Sequence, residues 1–407
     1  MPIDRRRFLK AAAAGAGVAA VGSPGPGSEA FASPREAPLP PAIAALRPMT
    51  AEIVPITREE RLRRIARAQE LMAEQRMDGV FMEGTASCFY YTGMRWGQSE
   101  RTFGLVIPAS GDLAWVCPKF EEERALELIQ FGTEVRTWEE DESPYAVIAG
   151  ILRDRGLRHS RIGMEERVRF FIADGVGKVM PSAEIINATP VTAGCRIYKS
   201  PAEIALMQVA NDATIEAYRA AFTTMRDGMT QGELSANISA AFTALGFDGG
   251  ASVQVGKWTA LPHGSSTPQR LREGDIVMVD GGTGCEGYRS DITRTTVFGR
   301  STQRQRDVWA IERQAQDAAF AAAQVGAPCE TVDAAARAVI EAAGFGPGYK
   351  TPGLPHRTGH GIGLEGHEWT NFVKGNTTPL APGMCFSDEP MIAIPGEFGI
   401  RLEDCLY

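Results

Sequence analysis

The stretch IVMVDGGTGCEGYRSDITRT, residues 276–295, carries two carboxylates, Asp280 and Asp291, in a pattern that predicts two antiparallel strands. Residues 276–279 form an uninterrupted apolar run, which is typical of a buried strand, and Asp280 ends it. An unpaired carboxylate in such a place is costly, so it requires a counter-charge, which a bound cation supplies. Residues 288–295 are rich in β-branched side chains and are predicted to return beside the first strand, so that the two carboxylates meet.

Three further candidate ligands follow toward the end of the chain. His360 lies in GHGIG, residues 359–363, where glycines allow the backbone to approach a site closely. Glu389 lies in DEP, residues 388–390, and Glu403 lies in RLED, residues 401–404. Four carboxylates and one imidazole suit two hard or borderline divalent ions better than a thiolate-preferring metal. We expect Mn²⁺ first, with Co²⁺, Zn²⁺ or Fe²⁺ as alternatives.

These five residues, with the phrases SDITRT, GHGIG, DEP and RLED around four of them, resemble the five-ligand signature of the pita-bread metallopeptidases. That superfamily contains the Xaa-Pro aminopeptidases, the prolidases, the methionine aminopeptidases and the metal-free creatinases. The resemblance runs from residue 196 to the end of the chain and implies a pita-bread catalytic domain. It also implies the ligand roles: Asp280 chelates one metal, Asp291 and Glu403 bridge both, and His360 and Glu389 complete the second site.

The resemblance also implies two roles beyond simple coordination. Glu389 is the implied proton shuttle of the reaction. Arg401, two residues before Glu403, is the implied group that orients a bridging carboxylate through charge-assisted hydrogen bonds. A nucleophilic water activated by two cations would complete such a hydrolytic site.

Four of the five histidines fall near the ligand set, and a purely structural role does not easily explain that clustering. In the prolidase and Xaa-Pro aminopeptidase branch, histidines similar to His263, His356 and His367 hold the scissile carbonyl and the proline end and stabilise the tetrahedral intermediate. Methionine aminopeptidases generally lack the middle one, so His356 favours the proline-specific branch. The resemblance therefore implies an aminopeptidase or dipeptidase that cleaves small peptides with proline at the second position.

Two features depart from the family pattern. Many Xaa-Pro enzymes have an aromatic residue where this chain has Ala393, which weakens the argument for proline specificity. The chain ends at Tyr407, whereas relatives continue through another strand, so we expect a truncated sequence or a short final strand. A metal-dependent hydrolase or lyase of a small non-peptide substrate and a non-catalytic peptide-binding module remain alternatives. A metal-free, creatinase-like enzyme is disfavoured because all five ligands are present.

The start of the chain has the features of an export signal. Residues 5–10, RRRFLK, precede an Ala/Gly/Val-rich apolar run and then Ala30-Phe31-Ala32, which predicts a twin-arginine signal over residues 1–32, cleaved after Ala32. The apolar run is too short to remain as a membrane span, so we expect a periplasmic protein. Residues 33–55, rich in proline and alanine, are predicted to be a flexible lead-in.

The remaining chain divides into two predicted domains. Residues 56–195 alternate helix and strand patterns and are predicted to form a smaller α/β domain of the creatinase-like type. Residues 196–407 are predicted to form an α+β pita-bread domain whose helices begin at Pro201, Thr230, Thr302 and Thr331. Segments 228–247 and 326–345 have the same length and the same Gly-Phe ending, which predicts a pseudo-two-fold repeat with the metal site on its seam. A homodimer is expected from the family alone.

Composition excludes some other classes of protein. The 407 residues are 44% hydrophobic and 23% charged, which is typical of a globular protein large enough for two domains. The net charge of −8 and the absence of a basic stripe argue against a nucleic-acid partner. Seven cysteines without a CxxC pair predict no zinc motif and no disulfide framework, and most are expected to be buried.

Overall fold

A computed structural model describes residues 38–157 and 160–407 of the chain. The predicted export signal, residues 1–32, and the first part of the lead-in fall outside the described residues. None of the helices in the described ranges is long and apolar enough to cross a membrane. The seven cysteines are all free, and six of them are buried, which agrees with the expectation that most would be; Cys405 is half-buried.

The amino-terminal part of the described chain alternates helices and strands. Its helices are α1 (Pro41–Ala44), α2 (Arg58–Gln75), α3 (Ala86–Thr92), α4 (Glu122–Leu128), α5 (Pro144–Asp154), α6 (Phe170–Val179) and α7 (Thr189–Arg196). Its strands are β1 (Gly79–Glu83), β2 (Gly104–Pro108), β3 (Ala114–Pro118), β4 (Glu134–Trp138), β5 (Arg161–Met164) and β6 (Glu184–Asn187).

The carboxyl-terminal part carries longer helices and more strands. Its helices are α8 (Pro201–Phe222), α9 (Gln231–Leu245), α10 (Gln303–Ala322) and α11 (Cys329–Ala342). Its strands are β7 (Gly249–Val255), β8 (Ile276–Cys285), β9 (Tyr288–Arg289), β10 (Ile292–Val297), β11 (Gly359–Gly361), β12 (Glu368–Phe372), β13 (Phe386–Asp388), β14 (Met391–Ile394), β15 (Phe398–Arg401) and β16 (Asp404–Leu406).

The amino-terminal strands form one mixed sheet in the order β4-β3-β2-β1-β5-β6. The central strands β1 and β2 are buried throughout, so both faces of the sheet are covered. Alternate residues supply opposite cores: Val80 and Met82 belong to one hydrophobic cluster, while Phe81 packs with Ile148 and Leu152 of α5 in another. This is the α/β architecture that the alternating pattern predicted.

The carboxyl-terminal half places its strands in three smaller sheets. Strands β10, β8 and β7 pair in that order, with β9 on β8; β12, β11, β13 and β16 form a second sheet; β14 and β15 form a hairpin. Helices α8 and α9 begin with the predicted capping boxes, in which Ser200 and Thr230 exchange hydrogen bonds with the glutamate three residues later. These features agree with the predicted α+β domain.

The predicted internal repeat is visible in the backbone hydrogen bonds. Gly228 and Leu271 are joined by Gly228 N to Leu271 O at 2.8 Å, and Gly326 and Leu380 are joined by the matching bond at 2.7 Å. Helix α9 has Gly246, with φ +89°, as its carboxyl-terminal cap, whereas α11 is capped by Ala343 and the glycine with φ +87°, Gly344, follows it. The two segments therefore share the initial turn, the helix and a closing glycine with positive φ, although their caps differ, and this supports the pseudo-two-fold interpretation.

Two expectations about the chain differ from the structure. The described part of the lead-in is packed: Ile43 of α1 is fully buried, and Met49 N donates to Leu245 O at 2.9 Å. The apolar side chains between the prolines give this segment a hydrophobic surface that can be buried. A composition rich in proline and alanine does not by itself predict this burial. Helix α11 begins at Cys329 and not at Thr331, because Pro328 stands at its amino-terminal cap.

Candidate metal centre

Two of the five candidate ligands come from the hairpin formed by β8 and β10. Asp280 lies in β8 directly opposite Thr293 of β10, and Asp291 immediately precedes β10. The antiparallel pairing predicted for residues 276–295 is therefore present. Asp280 and Asp291 form one group with Glu403, in which one oxygen of each residue lies within 4.8 Å of the others.

The other ligands come from the second repeat. His360 is the central residue of β11, Glu389 follows β13, and Glu403 lies between β15 and β16. Glu403 N donates to Thr293 O at 3.1 Å, which joins this half to the β8–β10 hairpin. The candidate ligands thus meet between the two repeats, which agrees with the predicted position of the site.

The ligand atoms form overlapping groups. His360, Glu389 and Glu403 form a second triad within 4.8 Å, and Asp291, His360 and His367 form a third. Because Glu403 belongs to two of the three groups and Asp291 to two, adjacent cation positions can share these carboxylates. The groups line a cavity of about 520 Å³, which also receives Arg357 and Arg401.

The crowding of buried carboxylates in the site favours the binding of cations. Burial, reinforced by the charge of Asp280, raises the pKa of Asp291 to about 7. Burial and the charge of Asp291 raise the pKa of Glu403 well above its ordinary value. Burial also works to raise the pKa of Glu389, but its hydrogen bond with His360 and the charges of His360 and Arg401 lower it to about 2. Crowded buried carboxylates of this kind fit bound cations, which would hold them ionised.

His360 is oriented for coordination by its backbone surroundings. Its Nδ1 lies 3.1 Å from Gly361 O, and its Nε2 lies 3.1 Å from Glu389 Oε1 and 3.9 Å from Asp291 Oδ2. With a cation bound, a proton on Nδ1 that is donated to the carbonyl would leave Nε2 unprotonated and free to coordinate. This is the tautomer that a metal-binding histidine requires.

Arg401 differs in one respect from what the resemblance implied. Its guanidinium contacts Asp280, with Nη2 2.6 Å from Oδ2, and not the bridging candidate Glu403. It reaches Glu403 through Thr293, whose hydroxyl accepts from Arg401 Nε at 3.0 Å and donates to Glu403 Oε2 at 2.6 Å. A third donor, Nη1, binds Pro262 O at 3.1 Å. Thr293 is therefore an orienting residue that sequence reasoning missed, although its place opposite Asp280 in a predicted hairpin could have revealed it.

The three further histidines all line the same cavity. His356 Nδ1 lies 2.7 Å from Arg357 O, whereas its Nε2 is buried without a hydrogen-bond partner among the described residues. Burial lowers the pKa of His356, so the ring is neutral at neutral pH. A buried imidazole nitrogen that lacks a protein partner is a group that a substrate can satisfy.

His367 lies directly against a candidate ligand. Its ring centroid is 3.9 Å from that of His360, and burial, followed by the charges of His360 and Arg357, lowers its pKa. The adjacent Glu368 fixes the segment, because Lys199 Nζ lies 2.9 Å from one of its oxygens and Arg196 binds the other. His263, by contrast, stands exposed at the edge of the cavity.

The metal-free protein is expected to lose stability as pH rises from about 5.5 to 7.5. A carboxyl with a raised folded-state pKa holds its proton in the folded state after the unfolded chain has released it, so its stabilising contribution is lost across this window. Asp291 and Glu403 behave in this way, and burial also raises the pKa of Asp388 to about 8 and of Glu165 to about 7.

Two histidines oppose this trend. The lowered pKa values of His356 and His367 make the folded state more stable as pH rises past their ordinary value. Because four carboxyls outweigh two histidines, the free energy of unfolding should fall as pH rises. Urea unfolding of chelated protein at pH 5.5 and 7.5 measures this change. A stability that rises with pH would contradict the crowding of carboxylates described above. Added Mn²⁺ should reduce the slope.

The chain is similar to known peptidases over most of its length. The sequence profile of metallopeptidase family M24 matches residues 205–407, and that of the creatinase/prolidase N-terminal domain matches residues 64–198. An uncharacterized peptidase of Schizosaccharomyces pombe is 36% identical over 387 residues, which cover 90% of this chain and 83% of the relative. The Xaa-Pro dipeptidase of Lactobacillus helveticus is 30% identical, with 83% of this chain and 92% of the relative covered. Among solved structures, the dipeptidase PepE of Mycobacterium ulcerans aligns with a TM-score of 0.78 at 30% identity, covering 86% of this chain and 94% of its own.

Proposed function

Because the chain belongs to metallopeptidase family M24, we propose that it hydrolyses Xaa-Pro peptide bonds with two divalent cations, as a dipeptidase or an aminopeptidase. The observation that carries the proposal is the pair of overlapping ligand triads that share Glu403. The proposed ligands are Asp280, Asp291, His360, Glu389 and Glu403. Bound there, the cations would lower the pKa of a water to near neutrality and polarise the scissile carbonyl. Mn²⁺ is the proposed metal, since the donors are mostly oxygens.

Proton transfer, substrate binding and the positioning of the ligands are assigned to residues of the chain itself. Glu389 accepts the proton of the attacking water and delivers it to the leaving amine, a task that requires an ionised carboxylate; its contact with His360 favours the ionised form by lowering its pKa. His356 and His367, neutral at pH 7, hold the scissile carbonyl and the residue after it through ring N–H groups. Arg401 and Thr293 keep Asp280 and Glu403 in place.

The alanine at position 393 does not count against this proposal. Ala393 lies in β14, is 1% exposed, and packs in a hydrophobic cluster with Met391 and Ile400. It is not among the residues that line the cavity. Position 393 therefore does not contribute to the cavity wall of this chain, and we keep a peptide substrate ahead of a non-peptide one.

The test is an assay of the protein from Ser33 onward on Ala-Pro, Ala-Pro-Ala and Ala-Ala, with Mn²⁺ or with chelator. We expect chelator-sensitive cleavage that is confined to the proline bonds. Cleavage of Ala-Ala at an equal rate would reject proline specificity. Metal binding without cleavage of any peptide would shift the proposal to a non-peptide substrate.

Export and assembly are further proposals, which rest on the amino-terminal sequence and on the family resemblance respectively. A twin-arginine signal predicts that the Arg5→Lys/Arg6→Lys double variant stays in the cytoplasm of a bacterial host while the parent chain reaches the periplasm.

Light scattering of the mature protein should give the mass of a homodimer. A parent chain that remains cytoplasmic, or a monomer mass at micromolar concentration, would reject the corresponding proposal.

A further inference from the structure

A second cavity, separate from the candidate metal centre, is lined by three side chains that contain sulfur. This cavity of about 200 Å³ lies between helix α8 and strand β16, and Met207, Cys385 and Cys405 line it together. Met207 and Cys385 are each 4% exposed, whereas Cys405 is half-buried. The proposed hydrolysis uses none of these three side chains, so their presence in one cavity needs another explanation.

The register of the sheet places both cysteines on one face. Cys405 of β16 pairs directly with Ser387 of β13, and Cys385 is two residues before Ser387, so its side chain points to the same face as that of Cys405. Such diagonal neighbours have Cα atoms roughly 7–8 Å apart, and their side chains can meet. A cation bound to two thiolates at about 2.3 Å from each would hold the sulfurs at most about 4.6 Å apart, which diagonal side chains can reach. Met207 approaches the same cavity from α8.

The chemistry of the donors and the charge of the cavity select the class of ligand. Thiolate and thioether sulfurs prefer soft cations such as Cu⁺ to the hard ions that carboxylates bind. Two acidic side chains also line the cavity. Arg294 Nη2 lies 2.6 Å from Asp404 Oδ1 and offsets that charge. Asp212 accepts from the uncharged amide of Gln208 at 2.8 Å and so keeps its negative charge, which attracts a cation to the cavity.

A free acceptor in the same cavity also points to a ligand. Asn211 lines the cavity one helical turn after Met207, and its Nδ2 donates to Met207 O at 2.8 Å. Its Oδ1 is buried and has no hydrogen-bond partner in the part of the chain that the structure describes. Because buried acceptors are normally satisfied, this oxygen is available to a bound ion or to a water that the ion carries.

We propose that Met207, Cys385 and Cys405 bind one soft monovalent cation of the Cu⁺ class. On binding, each thiol forms a bond from sulfur to the metal and releases its proton to solvent, and the thioether adds a third donor. The ion enters and remains in the monovalent state, so the step needs no oxidant or reductant. This cation site is additional to the proposed hydrolysis and does not depend on it.

One contact links this cation site to the candidate metal centre. Cys405 Sγ donates to Asp291 O at 3.4 Å, and Asp291 is one of the two candidate bridging ligands. A sulfur that is bound to a cation has no proton to donate, so occupation removes a hydrogen bond that holds the Asp291 backbone. Since contacts that orient metal ligands affect metal affinity and activity, we expect the soft cation to inhibit the enzyme. This consequence rests on the proposed function.

The experiment titrates the reduced, Mn²⁺-loaded protein with Ag⁺, a soft monovalent probe, in chloride-free buffer. Calorimetry and mass spectrometry of the desalted protein give the affinity and the number of silver ions bound. We expect one tight equivalent in the wild type and an affinity lower by roughly 10-fold or more in Cys385→Ser and in Cys405→Ser, because a hydroxyl is a poor ligand for a soft ion. Met207→Leu, which nearly conserves volume, should weaken binding to a smaller extent.

Cys117→Ser is the matched control, since Cys117 is fully buried in β3 and does not line this cavity. It should bind silver as the wild type does. Thiol titration of the unfolded wild type should give all seven cysteines, which excludes a disulfide from the result. Wild-type affinity in Cys405→Ser and Met207→Leu, or an equal loss in Cys117→Ser, overturns the inference, and these variants decide it even if Cys385→Ser does not fold.

Turnover tests the link to Asp291 separately. We expect one equivalent of Ag⁺ to lower kcat on Ala-Pro roughly 10-fold in the wild type and in Cys117→Ser, but not in Cys405→Ser, each relative to its own rate without silver. Full activity of the silver-loaded wild type overturns the link to Asp291. If the wild type cleaves no peptide even without silver, the proposed function fails, and the silver titration still decides whether the cation site exists.

Discussion

Glu389→Gln is expected to retain its metals while kcat on Ala-Pro falls by roughly 10²- to 10⁴-fold, the range that general acid–base catalysis contributes. An amide oxygen can still coordinate a cation, but it cannot take up a proton at neutral pH. The Glu389 carboxylate is held inside the candidate metal site, where it can both coordinate a cation and transfer a proton. Its Oε1 lies 3.1 Å from His360 Nε2 and 3.2 Å from the Ser387 hydroxyl. Metal content by mass spectrometry and kcat measured on the same preparation provide the test.

A surface substitution controls for the loss of one negative charge. Glu397 forms an exposed ion pair with Arg304, so Glu397→Gln should leave kcat and metal content at wild-type values. Full activity of Glu389→Gln would rule out its role as proton carrier. Loss of metal together with activity would show that Glu389 serves mainly as a ligand.

The features that sequence predicted best are those that short segments determine. Asp280 and Asp291 are joined by a tight turn, so one hairpin brings them together, and its register follows from the apolar run before Asp280. The capping boxes at Ser200 and Thr230 are equally local. The family resemblance then supplied what local pattern cannot, and the metallopeptidase assignment and the pita-bread fold are confirmed by the profile matches and the structural neighbours.

The features that sequence did not predict depend on contacts between distant segments. The partner of Arg401 is 121 positions earlier in the chain, and nothing near either residue distinguishes Asp280 from Glu403 as its acceptor. Burial of Ile43 depends on helices α8 and α9, which lie more than a hundred residues further on.

The crowding of carboxylates has a cost when no metal is bound. Glu403 is 1% exposed and lies close to Asp291 and Asp280, so burial and these charges raise its pKa in the folded metal-free protein above that in the unfolded chain. Above the ordinary pKa of a glutamate this difference favours unfolding, and increasingly so with pH. The same closeness becomes favourable when cations neutralise the group. The metal-free fold is therefore more stable when Glu403 is protonated, whereas metal binding requires Glu403 to be ionised.

Glu403→Gln is accordingly expected to stabilise the chelated protein at pH 7.5 while it abolishes activity and the binding of both metals. The glutamine keeps the acceptor for the Thr293 hydroxyl, which lies 2.6 Å from Oε2, and removes only the charge. The pH dependence of the free energy of unfolding should become shallower by up to about 1.4 kcal/mol per pH unit, the contribution of one proton. Urea titrations at pH 5.5 and 7.5, with chelator and with Mn²⁺, measure both effects.

The difference in stability between the wild type and Glu403→Gln should change sign when metal is bound. With Mn²⁺ the wild type gains the binding free energy that the variant has lost, so the wild type becomes the more stable of the two. Asp307→Asn, at an exposed site on α10, alters one negative charge far from the cavity and should show neither the stabilisation nor the reversal. A Glu403→Gln protein that is less stable than wild type under chelator would mean that the carboxylate is already neutralised within the fold, and the argument for two shared cations at this seam would fail with it.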